Sequence, residues 1–223
     1  MYITAFFAIF VKFILFVVFI RVAVHFNCDA LLNQFIIFSL LVGCFMSVNQ
    51  TEIKRLLAYS SIVHVGFLFM GDISSSLVYL LTYVCSSLVI FSVVLTMQLG
   101  GKEIIYLNDF KFLRGSGYFN VGCVTVALAS SAGLPPFAGF YGKFLVWSSL
   151  IEDIYLSNGI DSYIILFVSI AVSLITIFYY MRVIAYLFVG DDAQSRSVSF
   201  TIGEASFDSI VILQGSVVIL LVF

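Results

Sequence analysis

YFNVGCVTVALASSAGLPPFAGFYGKFLVWSSLIE, residues 118–152, is an apolar run too long for one straight membrane span, and it holds the chain's only prolines, Pro135 and Pro136. A membrane helix needs roughly 20 mostly apolar residues to cross the hydrocarbon core. Proline cannot donate its amide and disfavours helix in the residue before it, so Gly133-Leu134-Pro135-Pro136 predicts a break. Unpaired backbone groups at membrane depth survive only when buried in protein or lining a hydrated cavity. Discontinuous helices of this kind mark ion and substrate sites in transporters, with a purely structural kink as the alternative. Lys143, seven residues beyond Pro136, favours the functional reading.

Outward from this segment, further apolar runs lie near 3–26, 31–48, 54–71, 76–98, 162–189 and 207–223. The expected fold is therefore an all-α integral membrane domain over residues 1–223, with about seven transmembrane helices, one of them discontinuous. Connections fall at Asn27–Ala30, Asn49–Ile53, Asp72–Ser75, Leu99–Gly117, Glu152–Asp161 and Gly190–Ser206. Asn49, with Glu52 three residues on, reads as a helix N-cap.

Composition agrees. Of the 223 residues 62% are hydrophobic and only 10% charged, where a soluble domain typically carries about 25% charged residues. No basic patch with interleaved aromatics supports nucleic-acid binding. Cys28, Cys44, Cys85 and Cys123 are scattered without a C-x-x-C pair, so small buried hydrophobes are a better reading than a metal site or disulfide framework. The N-terminal stretch MYITAFFAIFVKFILFVVFI reads as a membrane span, lacking the basic n-region and small-residue cleavage site of a signal peptide. It is not an Arg-rich presequence either, and the 25 Phe and 12 Tyr suit an AT-rich organellar genome.

Lys and Arg are distributed unevenly. Lys54, Arg55, Lys102, Lys111, Arg114, Arg182 and Arg196 flank the loops after the second, fourth and sixth runs, while the loops after the third and fifth hold none. The positive-inside rule then places the N-terminus on the cytoplasmic or matrix side and the C-terminus outside.

Every Asp and Glu lies in a loop or near a span end, but Lys12, Lys143 and His64 lie within predicted spans. A Lys at the bilayer centre costs roughly 2.5–3.5 kcal/mol on insertion scales, which makes it a candidate functional group. Burial disfavours the charged ammonium and brings proton exchange toward physiological pH, where histidine already titrates. A line of such groups bridged by water is what a proton path requires. The plainer alternatives are snorkelling for Lys12 and a bond to a neighbouring backbone carbonyl for His64. Lys54 and Arg55 read as topology signals, and Arg21 and His25 as interfacial anchors.

NQTEIKRLLAYSSIVHVGF (49–67) and ALASSAGLPPFAGFYGKF (127–144) resemble the antiporter-like membrane subunits of respiratory NADH dehydrogenase and their relatives in cation/proton antiporters. GLPPFAGFYGKF, with lysine after the glycine, is most similar to the chain 2 branch of the mitochondrial enzyme. The resemblance implies the second half of a fourteen-helix antiporter-like fold, with the first span as the eighth helix and 118–152 as the broken twelfth. It implies that Lys12 is the central lysine of a proton path, His64 a relay and Lys143 the lysine leading to the outer exit.

By the same resemblance the partners are other membrane subunits of a respiratory complex, lipids, and a second polypeptide supplying the first half with its carboxylate–lysine pair. NAD, FMN, iron–sulfur clusters and ubiquinone would be bound elsewhere in the complex, with no cofactor or metal in this chain. The implied location is the mitochondrial inner membrane, with the N-terminus in the matrix, the C-terminus in the intermembrane space and a mitochondrial gene. A subunit of a cation/proton antiporter or membrane-bound hydrogenase, and a non-pumping assembly scaffold, are the competing readings.

Overall fold

The computed structural model describes residues 11–23, 29–96, 98–99, 102–103, 106–116, 118–157, 160–188 and 215–222. The architecture is all-helical: α1 (Lys12–Ala23), α2 (Asp29–Val48), α3 (Ile53–Met70), α4 (Ile73–Thr96), α5 (Tyr118–Ala132), α6 (Ala138–Ser157) and α7 (Ile160–Phe188), followed by α8 over 215–222. Four of these are long and apolar enough to cross a membrane, with spans at Leu31–Val48, Ile53–Met70, Ile73–Val94 and Ile160–Phe188. The outer parts of the expected first and last spans, the Gly190–Ser206 connection, His25, Cys28 and Arg196 lie outside the described residues.

Large apolar side chains point outward along these helices. Phe35, Phe38 and Phe45 on α2, and Phe167, Leu174 and Phe178 on α7, are all more than 60% exposed. Water-facing surfaces rarely carry so continuous an apolar stripe, whereas lipid solvates it without penalty. Between helices, small residues allow close approach: a Cβ on Gly43 would lie 2.9 Å from the Val63 amide nitrogen, and one on Gly66 2.7 Å from the Ser39 hydroxyl. Several buried serine and threonine hydroxyls are satisfied within their own helices. Ser47, Ser86, Ser131 and Thr176 each donate to the carbonyl three residues back at 2.6–2.9 Å, which removes the cost of an unpaired group in an apolar interior.

The buried apolar side chains form two clusters. One gathers Leu56, Val93, Phe110, Val124, Leu128 and Val183; the other gathers Leu40, Phe67, Leu80, Val146, Ile154 and Val172. Between the two clusters α3, α4 and α7 carry buried polar side chains: Ser60, Ser61 and His64; Ser86 and Ser87, beside Tyr83; Ser173 and Thr176. A polar layer thus lies between two apolar plugs.

The connections differ in places from the sequence expectation. Asn49 does not cap α3: Glu52 occupies the N-cap position in extended conformation without a side-chain cap bond. Its carboxylate instead pairs with Arg55 at 2.9 Å, and its backbone bridges to Tyr106. The Leu99–Gly117 connection contains structure, an antiparallel pair β1 (Gln98–Leu99) and β2 (Lys102–Glu103) followed by a 3-10 helix over Leu107–Ser116. This segment is tied to the α2–α3 turn by the Leu107 amide donating to the Thr51 carbonyl (2.9 Å), and Arg182 of α7 donates to the Gln50 carbonyl (2.9 Å). Arg55, Lys111 and Arg182 therefore share one end of the bundle. The Glu152–Asp161 connection is shorter than expected, because α6 continues through Glu152 and Asp153 to Ser157, with both carboxylates exposed.

Candidate functional site

The break between α5 and α6 follows from its sequence. Gly133 adopts φ +83°, a left-handed conformation open to glycine without a Cβ penalty. The Gly133 amide donates to the Ser130 carbonyl (2.9 Å) and the Leu134 amide to the Ala129 carbonyl (3.1 Å). This is the Schellman closure of a helix C-terminus. Pro135 and Pro136, joined by a cis peptide bond, cannot continue the helix. α6 begins at Ala138, and its Gly139 amide donates to the Ser130 hydroxyl at 3.1 Å. A side chain of α5 thus satisfies one of the first amides of α6.

Lys143, on the second turn of α6, is 2% exposed. Its ammonium donates to the Ala132 carbonyl at 2.7 Å and to the Thr176 hydroxyl at 3.4 Å, and lies 5.2 Å from the centre of the Phe67 ring. Ala132 is the last residue of α5, where helix carbonyls carry the negative end of the macrodipole. The break therefore builds a seat for a buried cation: one free carbonyl, one hydroxyl and one aromatic face.

His64, also 2% exposed, holds a tyrosine at each ring nitrogen: Nδ1 lies 2.6 Å from the Tyr79 hydroxyl and Nε2 3.1 Å from the Tyr180 hydroxyl. A neutral imidazole donates at one nitrogen and accepts at the other, so a hydroxyl at each allows a proton to arrive on one side and leave from the other. The Tyr83 ring packs on the imidazole with centroids 4.8 Å apart. Lys12 reaches inward from α1 to donate to the Tyr83 hydroxyl at 3.2 Å, rather than snorkelling outward. A cavity of about 10 Å³ is lined by His64, Tyr79, Thr82, Tyr83, Ser86 and Ser130, a size and polarity that suit one water molecule. Its Ser130 wall is continuous with the turn that seats Lys143.

Three side chains far apart in sequence thus lie on one polar layer: Lys12 to Tyr83, Tyr83 against His64, and His64 one helical turn from the Phe67 ring beneath Lys143. Sequence reading missed the tyrosines. Tyr79, Tyr83 and Ser86 at i, i+4 and i+7 on one face of α4, and the Tyr179-Tyr180 doublet within α7, were the available signal.

Residues 1–177 match the family described as NADH:quinone oxidoreductase/Mrp antiporter, TM. The chain belongs to this family. It is therefore a multi-pass membrane protein. It is 38% identical over 169 residues to the chloroplastic NAD(P)H-quinone oxidoreductase subunit 2 of Chaetosphaeridium globosum, covering 71% of this chain and 32% of that protein. Against NADH-quinone oxidoreductase subunit N of Rhodospirillum rubrum it is 32% identical over 197 residues, covering 82% of this chain and 39% of the relative. The chain thus spans about a third of the length of the curated relatives it matches.

Among solved structures, the Thermus thermophilus respiratory complex I with bound aureothin contains a chain that superposes with TM-score 0.70 at 24% identity. The match covers 86% of this chain and 43% of that one. The archaeal membrane-bound sulfane sulfur reductase contains one with TM-score 0.59 at 20% identity, covering 86% and 31%. These two establish a shared fold.

Proposed function

We propose that this chain is a proton-translocating membrane subunit of a respiratory NADH:quinone oxidoreductase, with Lys12, His64 and Lys143 as its proton-exchanging groups. One observation carries the reading. Three titratable side chains from separate helices lie along a single polar layer, with tyrosine hydroxyls against Lys12 and against both ring nitrogens of His64, and Lys143 seated on the Ala132 carbonyl beside Thr176. The family membership supports the same reading. Gly133, Pro135 and Pro136 form the break of a discontinuous helix, and the chain corresponds to the second half of a fourteen-helix fold whose first half lies outside this sequence.

In this reading Lys143 holds a proton against the Ala132 carbonyl and Thr176 and releases it when charge changes nearby. His64 passes protons between its two tyrosines, and Lys12 exchanges with the layer through Tyr83. Redox chemistry, with NAD, FMN, iron–sulfur clusters and ubiquinone, belongs to other subunits. The Lys/Arg-rich end, including Arg55, Lys111 and Arg182, faces the matrix of a mitochondrion. The organellar assignment is supported by the Phe- and Tyr-rich composition and by the GLPPFAGFYGKF segment.

The deciding experiment is a native gel of detergent-solubilised mitochondrial membranes stained for NADH oxidation, with mass spectrometry of the active band. The chain is expected there, together with polypeptide supplying the rest of the fold. Its recovery solely in an NADH-inactive band overturns the respiratory assignment. Because the same fold occurs in the sulfane sulfur reductase, the proteins in such a band would identify the different complex it serves.

A finer test concerns Lys12. Tyr83→Phe keeps the ring against His64 and removes the hydroxyl that receives the ammonium. The lost bond is worth about 1.5–3 kcal/mol where one partner is charged. Coupled NADH oxidation in the variant complex is expected to slow severalfold, with assembly unchanged. Unaltered coupled turnover would exclude Tyr83 as the link to Lys12.

A further inference from the structure

Among the described residues, two buried side-chain polar atoms have no hydrogen-bond partner: the Tyr179 hydroxyl and Arg182 Nε. Both lie on α7. Residues three apart on a helix share a face and are separated by about 4.5 Å along its axis. An unsatisfied buried group costs about 1–3 kcal/mol, so two on adjacent turns call for a common explanation.

The surroundings give one. Towards the basic end, Arg182 lines a cavity of about 120 Å³ with Gln50, Thr51, Tyr106, Asn108 and Tyr186. One water needs about 10–15 Å³ of such space, so this cavity has room for several. Arg182 Nη2 donates to the Gln50 carbonyl at 2.9 Å, while the buried Nε has no protein partner. Towards the centre, Tyr179 is fully buried, with its ring 4.6 Å from that of Tyr180. Ser47 and Tyr180 lie beside the Tyr179 hydroxyl, but neither meets hydrogen-bond geometry with it. Ser47 donates instead to the Cys44 carbonyl at 2.8 Å. Tyr180 is the residue whose hydroxyl sits 3.1 Å from His64 Nε2.

We infer that these groups form a second, hydrated proton-uptake path, running from the basic face through the Arg182 cavity and the Tyr179 hydroxyl to Tyr180 and His64, separate from Lys12. The inference rests on the proton-translocating reading above. Tyr179 stays neutral throughout: it accepts a proton from a water on the Arg182 side as it gives its own to Tyr180. Arg182 acts as a positioning residue, holding that water at Nε and remaining charged. The two atoms without protein partners are then the two that the path requires to be open to water.

The test uses the intact NADH-oxidising complex, both as purified for high-resolution electron microscopy and reconstituted in vesicles with an internal pH dye. Ordered water density bridging Arg182 Nε and the Tyr179 hydroxyl is expected. Tyr179→Phe is expected to slow proton uptake coupled to NADH oxidation about tenfold, since a positioned proton-transfer group typically contributes about 10²-fold or more and the Lys12 side remains. Lys143→Met is run beside it. If Lys143→Met abolishes pumping and Tyr179→Phe pumps normally, any bridging water is structural only and the path is overturned while the function stands. If neither variant alters pumping, the proton-translocating reading itself fails. Should Tyr179→Phe not assemble, the wild-type density decides. A Tyr179 hydroxyl bonded directly to Ser47, with no water towards Arg182, overturns the path, and a bridging water supports it.

Discussion

Lys143→Met is expected to leave the assembled complex intact and to reduce its coupled proton transfer about a hundredfold, the lower end of what a positioned proton-transfer group contributes. The two side chains are of similar length, so the space between Phe67 and Thr176 stays filled and no large cavity opens. Met lacks the donor that satisfies the Ala132 carbonyl at 2.7 Å. That carbonyl ends α5 directly before the Gly133 turn, and leaving it unpaired costs about 1–3 kcal/mol. The price is small beside the many contacts that hold α5 and α6 against α4, so assembly survives. What vanishes is the exchangeable proton. Lys143→Arg separates charge from exchange: guanidinium remains protonated at any accessible pH, so the seat stays occupied by a cation while transfer still fails. Normal pumping in the Met variant would remove Lys143 from the path, and normal pumping in the Arg variant would show that fixed charge suffices.

The residues of this seat differ in how plainly the sequence displays them. The Gly133–Pro136 break was legible because glycine and proline act through the backbone, and their effect does not depend on what packs nearby. Lys12, His64 and Lys143 were legible because an ionisable side chain within an apolar run is costly anywhere in a membrane. Tyr79, Tyr83 and Tyr180 were not, since a tyrosine in an apolar run reads first as a hydrophobic residue. Only the packing of α4 and α7 against α3 reveals that the Tyr79 and Tyr180 hydroxyls face a histidine and that the Tyr83 ring lies on it. The same holds for Ala132, whose contribution is a carbonyl and is invisible in any side-chain pattern. Asn49 misled because a local capping signature competed with a tertiary one. The Glu52–Arg55 pair and the bridge from Glu52 to Tyr106 fix the start of α3 through a segment more than 50 residues later in the chain. The β1–β2 pair left a clearer trace, the Gly100-Gly101 step between Leu99 and Lys102, which is a favoured composition for a two-residue hairpin.

Gly139→Ala is expected to have the largest effect on stability and to remove the chain from the assembled complex. A Cβ at Gly139 would overlap the backbone carbonyl of Ser130 and lie 3.0 Å from the Ser130 hydroxyl. One extra methyl in a packed core typically costs about 1–3 kcal/mol, because side chains can turn aside. Here the obstacle is backbone, held on both sides. Ser130 sits within the Schellman closure of α5 and accepts the Gly139 amide through its hydroxyl, and Lys143 on the next turn of α6 pins the Ala132 carbonyl. Moving α6 away to admit the methyl breaks these bonds together and leaves several polar groups unpaired at membrane depth, for a cost well above the ordinary core range. Gly122→Ala provides the contrast on α5 itself, because a Cβ there meets nothing within 4 Å. That substitution is expected to be neutral or to stabilise by up to about 0.5–1 kcal/mol through helix propensity. The readout for both is the amount of chain recovered in the NADH-oxidising band of a native gel, and the temperature at which that band disappears. Wild-type recovery of Gly139→Ala would mean that the α5–α6 contact is looser than this geometry requires, and the seat of Lys143 with it.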